Sequence, residues 1–360
     1  MSAARHAGGR RAGAGRTDAG AEAGRARTRG GAGGPAAGDP GAVPSEQGAA
    51  ALPLRPVVLF LRGLRRGLAR GASPLEAVGV AAVGLPQELR EVFEAGLRRL
   101  EGDFPEDEWG FDEGFAETVY PLLELLYERW WRARAVGVAN VPGHGRALLV
   151  SNHAGVLPWD ALMIATAILR EHPLPRFARF LVLKWAFDLP WLSIAVRKLG
   201  GAVASPYNAI RLLEEDHLVT VFPEGERGIG KSWSERYRLQ RFGRGGFAEI
   251  ALRTGAPIVP VAVVGGEEIY PKLADVPALA RVLGTPYFPI TPTFPALGPL
   301  GAVPLPSRWR IEFCEPIETA GYGPDAAGDR RLVLELSEHV RETIQEHLLD
   351  GVFERGSPFL

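Results

Sequence analysis

The stretch "ALLVSNHAGVLPWDALMIATAIL", residues 147–169, carries two periodicities back to back. Ala147 to Val150 is a short apolar run closed by Ser151 and Asn152, the pattern of a strand covered on both faces. From Asp160 the chain changes to a helical pattern, expected over 160–171. Between them Gly155 and Pro158 bend the backbone, and the turn carries one imidazole, His153, and one carboxylate, Asp160.

The same grammar repeats downstream. "HLVTVF" (217–222), "PIVPVAVVG" (257–265) and "WRIEFCEP" (309–316) are short apolar runs bounded by Gly, Pro or charge. Helical patterns at 187–199, 208–215 and 245–254 separate them, and an amphipathic helix over 329–348 closes the chain. Buried strands alternating with helices predict an α/β domain with a mainly parallel central sheet flanked by helices. Chemistry in such sheets gathers at the carboxyl ends of the strands, which puts His153 and the segment after Phe222 on one rim.

Upstream, the pattern predicts a helix at 114–131 containing Pro121, and another from Pro86 to Leu100. In "RPVVLFLRGLRRGLARG" (55–71), Val57, Phe60, Leu61, Leu64 and Leu68 fall at helical spacing beside Arg62, Arg65, Arg66 and Arg70. Such a helix suits either packing on the main domain or lying on anionic lipid, and Gly63 and Gly67 weaken it standing alone. Residues 1–50 are dominated by Ala, Gly and Arg with almost no large apolar side chains; they cannot offset their conformational entropy and read as a disordered tail. The expected organisation is therefore a tail to residue 50, a helical extension over 51–104, a catalytic domain over 105–350 and a short C-terminal tail over 351–360.

Composition narrows the function classes. The net charge is −1, so no global field points to nucleic acid. Cys314 is the single cysteine, which excludes an internal disulfide framework and a cysteine-rich zinc site. No metal-ligand spacing, dinucleotide fingerprint or P-loop occurs, so no bound cofactor or metal is expected. No apolar run reaches membrane-spanning length and no secretory signal stands at the N-terminus, so a cytoplasmic, peripheral location at the inner membrane face is expected.

Taken alone, Asp160 suits an N-cap and His153 a satisfied loop imidazole. Together they suit a general base and its orienting acid, because imidazole titrates near neutral pH and needs its second nitrogen held. No G-x-S-x-G elbow or reactive cysteine lies near His153, so the nucleophile would be the substrate's own hydroxyl. The second constellation, "VFPEGERGIGKSWSERYRLQRFGRGG" (221–246), puts Gly225 and the cations Arg227, Lys231 and Arg244 after a strand, where phosphate-bearing ligands bind. A solvated basic loop balanced by Glu224, Glu226 and Glu235 is the plainer reading.

"SNHAG…D" followed by "VFPEGERG", with "LVLKWAFDLPWLSIAVRKLGGAV" between them and "GAPIVPVAVVG" and "WRIEFCEPIE" after, resembles the lysophospholipid acyltransferase superfamily of the 1-acylglycerol-3-phosphate acyltransferase type. The likeness runs over residues 119–348. It implies a glycerol-phosphate-acyltransferase-like fold and transfer of a fatty acyl group from an acyl-CoA or acyl-carrier-protein thioester to a lipid hydroxyl. His153 would be the base and Asp160 its partner, Glu224 and Gly225 would shape the acceptor site, and Arg227 could meet a headgroup phosphate. Pro257 to Val263 would back the acyl chain. The six residues between His153 and Asp160 exceed the family's usual spacing, with Pro158 where the aspartate would fall. An arginine that the family often uses for phosphate is missing after Gly200 and Gly201, although Arg211 lies downstream. A thioesterase or lipid hydrolase, and a non-catalytic lipid-binding relative, are the competing readings.

Overall fold

A computed structural model describes residues 54–83, 85, 87–101, 104–154, 157–188, 190–283, 287–298, 301 and 303–359. The Ala/Gly/Arg-rich segment read as a tail, and the Gly155 bend, lie outside the described residues.

Nine strands are described: β1 (Arg134–Val136), β2 (Ala147–Ser151), β3 (Ala178–Val182), β4 (Gly201–Val203), β5 (Leu218–Val221), β6 (Ile258–Val264), β7 (Ala274–Asp275), β8 (Pro289–Ile290) and β9 (Arg310–Phe313). Seven form one sheet in the order β1-β9-β6-β2-β5-β3-β4. The run β6-β2-β5-β3-β4 is parallel. β9 lies antiparallel to β6, with Val264 opposite Arg310, and β1 follows β9 in parallel. β7 and β8 make a small antiparallel pair inside the excursion from β6 to β9.

Both faces of this sheet are covered, which explains why β2 and β6 are buried at every position. On one face Leu149, Phe180, Val259, Val261 and Val263 pack against the helices Trp159–Glu171 and Pro190–Lys198 and against Leu123, Tyr127 and Trp131. On the other, Leu148, Val150, Val219 and Ala262 meet the helices Pro206–Glu214, Gly246–Thr254 and Arg330–Arg355. The α/β class and the central sheet are as the alternating runs predict. β1, β3 and β4 were not predicted: β1 and β4 have only three residues each, and Arg179 interrupts the apolar run of β3. The closing helix runs on to Arg355, so its last turns occupy the start of the stretch read as a tail.

Upstream of the sheet, the helix expected over 114–131 is α-helical over Glu113–Leu125 and then widens into a π turn over Leu126–Trp130. The two predicted amphipathic helices are Leu54–Ala69 and Gln87–Glu101. Between them stands a helix that was not predicted, Pro74–Ala82, opened by Ser73 and Glu76 in a capping box with Pro74 at its first position. Gly63 and Gly67 have a positive role here. A Cβ at Gly63 would lie 2.6 Å from the Ala81 Cα, and one at Gly67 2.7 Å from the Ala77 Cα. Their absence lets two helices cross backbone to backbone, which outweighs the propensity cost of glycine within a helix.

Candidate active site

β2 delivers the site. At its end the Asn152 side chain closes onto β6 as if it were one more rung of the sheet: Oδ1 accepts the Val263 N–H at 2.8 Å and Nδ2 donates to the Val263 carbonyl at 2.9 Å. The next residue, His153, therefore leaves the sheet from a fixed point. Its ring stacks on Phe222, at the end of β5, with centroids 4.4 Å apart and planes inclined by 24°.

The chain then returns the carboxylate despite the longer spacing. The His153 Nδ1 and the Asp160 Oδ2 are 2.5 Å apart. Asp160 is fully buried, whereas the imidazole keeps 14% of its side-chain exposure. The same Oδ2 accepts the Ala154 N–H at 2.9 Å. Asp160 is not the N-cap expected from its position: Pro158 holds that place without a side-chain cap, and Asp160 lies in the first turn of Trp159–Glu171. From there the carboxylate turns back to the strand end. Asp160 accepts the Nδ1 proton, and Nε2 has no hydrogen bond among the described residues.

The ring forms part of the wall of an apolar cavity of about 300 Å³. Phe180, Leu181, Trp185, Leu192, Phe242 and Phe247 are among its lining residues, together with Gly225 and Arg244. The cavity spans the carboxyl ends of β3 and β5. β6, expected to back an acyl chain, contributes nothing to this lining and lies buried in the sheet. Geometrically the arrangement offers a proton acceptor beside an apolar slot, with one guanidinium at the rim.

The Acyltransferase family model matches residues 132–264, which include β2, both members of the His–Asp pair and β5. The chain is 54% identical over 252 residues, 70% of this chain and 70% of the relative, to an uncharacterized protein of Mycobacterium tuberculosis. An enzyme of Gallus gallus named for synthesizing storage lipids is 27% identical over 198 residues, 50% of this chain and 58% of that protein. A chloroplastic phytyl ester synthase of Arabidopsis thaliana is 29% identical over 175 residues, 41% of this chain and 23% of that protein. A 1-acyl-sn-glycerophosphate acyltransferase of Thermotoga maritima superposes with a TM-score of 0.47 at 18% identity, covering 81% of this chain and 95% of that one. The chain belongs to the acyltransferase family. The resemblance stated from the sequence blocks is thereby met, and the protein is an acyltransferase enzyme.

The remaining candidate residues of this acyltransferase separate by environment. Gly225 adopts φ 55° and ψ −140°, a conformation glycine takes without strain, and reaches the cavity wall. Arg244 is exposed at the rim, and its carbonyl accepts a hydrogen bond from Arg330. Arg227 is exposed on the four-residue helix Glu226–Ile229. Glu224 and Lys231 are both buried and are used inside the protein. Glu224 accepts the His153 N–H at 3.0 Å and the Gln240 N–H at 2.8 Å. Lys231 Nζ lies 3.1 Å from Glu224 and 2.8 Å from Glu267. Arg211, the downstream alternative for a phosphate, is paired with Glu108 and Glu215 and stacked over Trp109.

With Glu224 holding the His153 N–H and Asp160 the Ala154 N–H, these two donors of the "HAG" turn are already occupied and do not face a developing oxyanion. His172 and His217 both have partners. The His172 ring lies 2.8 Å from the Val141 carbonyl, and His217 lies 3.7 Å from Glu215, its pKa lowered mainly by burial. Trp131 is buried against Trp159 and Trp309, and the indole of its neighbour Trp130 donates to the Pro304 carbonyl. Four contributors escaped the sequence reading: Asn152, Phe222, Gly228 and Glu267. A Cβ on Gly228 would sit 3.1 Å from the His153 Cβ and 2.7 Å from the Glu224 Cβ, so this glycine permits the close approach of the two segments. Its only sequence signal was membership of the "VFPEGERG" block. Glu267 lay outside every block, and nothing in the sequence linked it to Lys231. Among the described residues no group of His, Cys, Asp and Glu is arranged to hold a metal.

Proposed function

We propose that this acyltransferase moves a fatty acyl group from a coenzyme A or carrier-protein thioester to the hydroxyl of a lipid acceptor, with His153 as general base and Asp160 as its partner. The observation that carries this reading is the 2.5 Å contact between His153 Nδ1 and Asp160 on the wall of an apolar cavity. Nε2 takes the proton of the acceptor hydroxyl as its oxygen attacks the thioester carbonyl. The buried carboxylate stabilises the imidazolium that forms. Collapse of the tetrahedral adduct breaks the carbon–sulfur bond, and the imidazolium returns its proton to the departing thiolate. The acyl chain occupies the apolar cavity, and Arg244 at its rim suits a phosphate of donor or acceptor.

The acceptor is a lipid alcohol in the wide sense. Among the relatives the phytyl ester synthase is named for an ester product and another enzyme for storage lipids, which supports a hydroxyl acceptor without requiring a glycerol phosphate. Such lipids reside in membranes, yet no helix among the described residues is long and apolar enough to cross one. Exposed Arg62, Arg65, Arg66 and Arg70 with exposed Leu59, Val80 and Val83, on or just after the first two helices, suit peripheral contact with an anionic surface, consistent with a cytoplasmic enzyme at the inner membrane face.

The test is acyl release from a thioester donor measured with and without candidate alcohols, for the wild type and His153→Ala. Release that rises with acceptor and yields the ester, and that His153→Ala abolishes, is the expected result. Release indifferent to every acceptor identifies a thioesterase instead. Transfer at the wild-type rate by a folded His153→Ala variant removes the base from the mechanism. Retention on phosphatidylglycerol vesicles and not on phosphatidylcholine ones, weakened by replacing the four arginines with glutamine, tests the membrane contact.

A further inference from the structure

Lys231 is 3% exposed at its side chain, yet it is one of only four lysines in a chain whose cations are otherwise arginines. Its ammonium touches two carboxylates from different parts of the fold. Glu224 belongs to the turn after β5, and Glu267 to the turn after β6. Each carboxylate in turn holds main-chain donors. Glu224 Oε1 accepts the His153 N–H and Oε2 the Gln240 N–H, while Glu267 Oε2 accepts the Tyr237 N–H at 2.9 Å. The chain of contacts continues through the Tyr237 hydroxyl, which accepts the Gly265 N–H at 3.0 Å. The Lys231 ammonium is turned to these two carboxylates, and the residue is not part of the cavity lining.

We propose that Lys231 is a positioning residue for His153: by bridging Glu224 and Glu267 it aims the Glu224 carboxylate at the His153 main chain and so fixes the imidazole in register with Asp160. The inference rests on the assignment of His153 as the base. Two clamps then hold the histidine, one on its main chain through Glu224 and one on its ring through Asp160. The bridge is electrostatically needed, because two carboxylates this deeply buried would otherwise face one another uncompensated. Burial works to lower the Lys231 pKa, but the charges of Glu267 and Glu224 more than reverse this and keep it a cation. Burial raises the pKa of Glu267, and Lys231 opposes that rise. Another cation, Lys272, is engaged with the carbonyl of Gly230, the residue before Lys231.

The test compares Lys231→Met and the double variant Lys231→Met/Glu267→Gln with the wild type, by steady-state kinetics and by the low-field Nδ1–H proton resonance of His153. The double variant removes one carboxylate along with the cation, and it carries the test if the single variant fails to fold. The expected result in the folded variant is a fall in kcat of about tenfold or more with donor KM within about threefold, together with a displaced or broadened His153 resonance. An unchanged kcat, an unmoved resonance, or a rise in KM alone overturns the proposal; the last would make Lys231 a ligand-binding residue. His153→Ala, run in parallel, separates the two levels. If it keeps wild-type transfer, the base assignment fails whatever Lys231 does, whereas an inactive His153→Ala beside a fully active Lys231→Met rejects the positioning role alone.

Discussion

His153 is held by its ring, by its main chain and by a stacked phenyl face, and each contact can be removed separately. Asp160→Asn keeps the volume but cannot hold the tautomer with the proton on Nδ1. A fall in kcat on the order of a thousandfold is expected, with circular dichroism unchanged. Gly228→Ala acts by shape. Its methyl would come within 2.7 Å of the Glu224 Cβ and 3.1 Å of the His153 Cβ, forcing the two clamped segments apart. Loss of at least about tenfold in kcat is expected if His153 is the base as proposed, since a small displacement of the reacting group is enough. The pair His153 and Asp160 was legible because a histidine at a strand end and an aspartate at a helix start are local signals. Asn152, Phe222 and Glu267 were not, because their partners lie on other strands and sequence spacing carries no information about which strand ends become neighbours.

Among the elements, legibility tracked burial and length. β2, β5 and β6 are buried throughout and read as continuous apolar runs. β1 and β4 are too short to form a pattern, and the Arg179 within β3 is paired with Asp107 and laid over the Phe111 ring, a compensation that no window of sequence contains. The glycines of the first helix were legible as a weakness and not as a contact, because propensity is local and helix crossing is not. Gly63→Leu should therefore destabilise this part of the fold by about 1–3 kcal/mol, read from urea unfolding. Leucine at Arg66, which is exposed, should leave the midpoint nearly unchanged.

For the whole molecule, the single thiol gives a global readout. Cys314 follows β9 and is buried, and burial, with help from the Glu312 charge, pushes its pKa up to about 12. At neutral pH it is protonated and inaccessible, so a thiol reagent should label no fraction of the folded enzyme and all of it in denaturant. A native protein labelled within minutes at pH 8 would show that the end of β9 opens by itself. The α/β class was legible at this scale because alternation of buried strands and helices survives local errors. The strand order was not, since β5 inserts between β2 and β3 although it follows both in the chain.

β2 has a parallel neighbour on each side, β5 and β6, and Asn152 adds a further pair of contacts to β6 at its end. The turn that carries His153 is thus rooted in the strand that has the most to lose before it can come loose. Amide protons of Leu148 to Val150 should exchange with deuterium only through complete unfolding, and thermal inactivation should keep pace with global melting rather than precede it. Many enzymes go silent while still folded, as an outlying lid frays; in this one, heat has to dismantle the middle first.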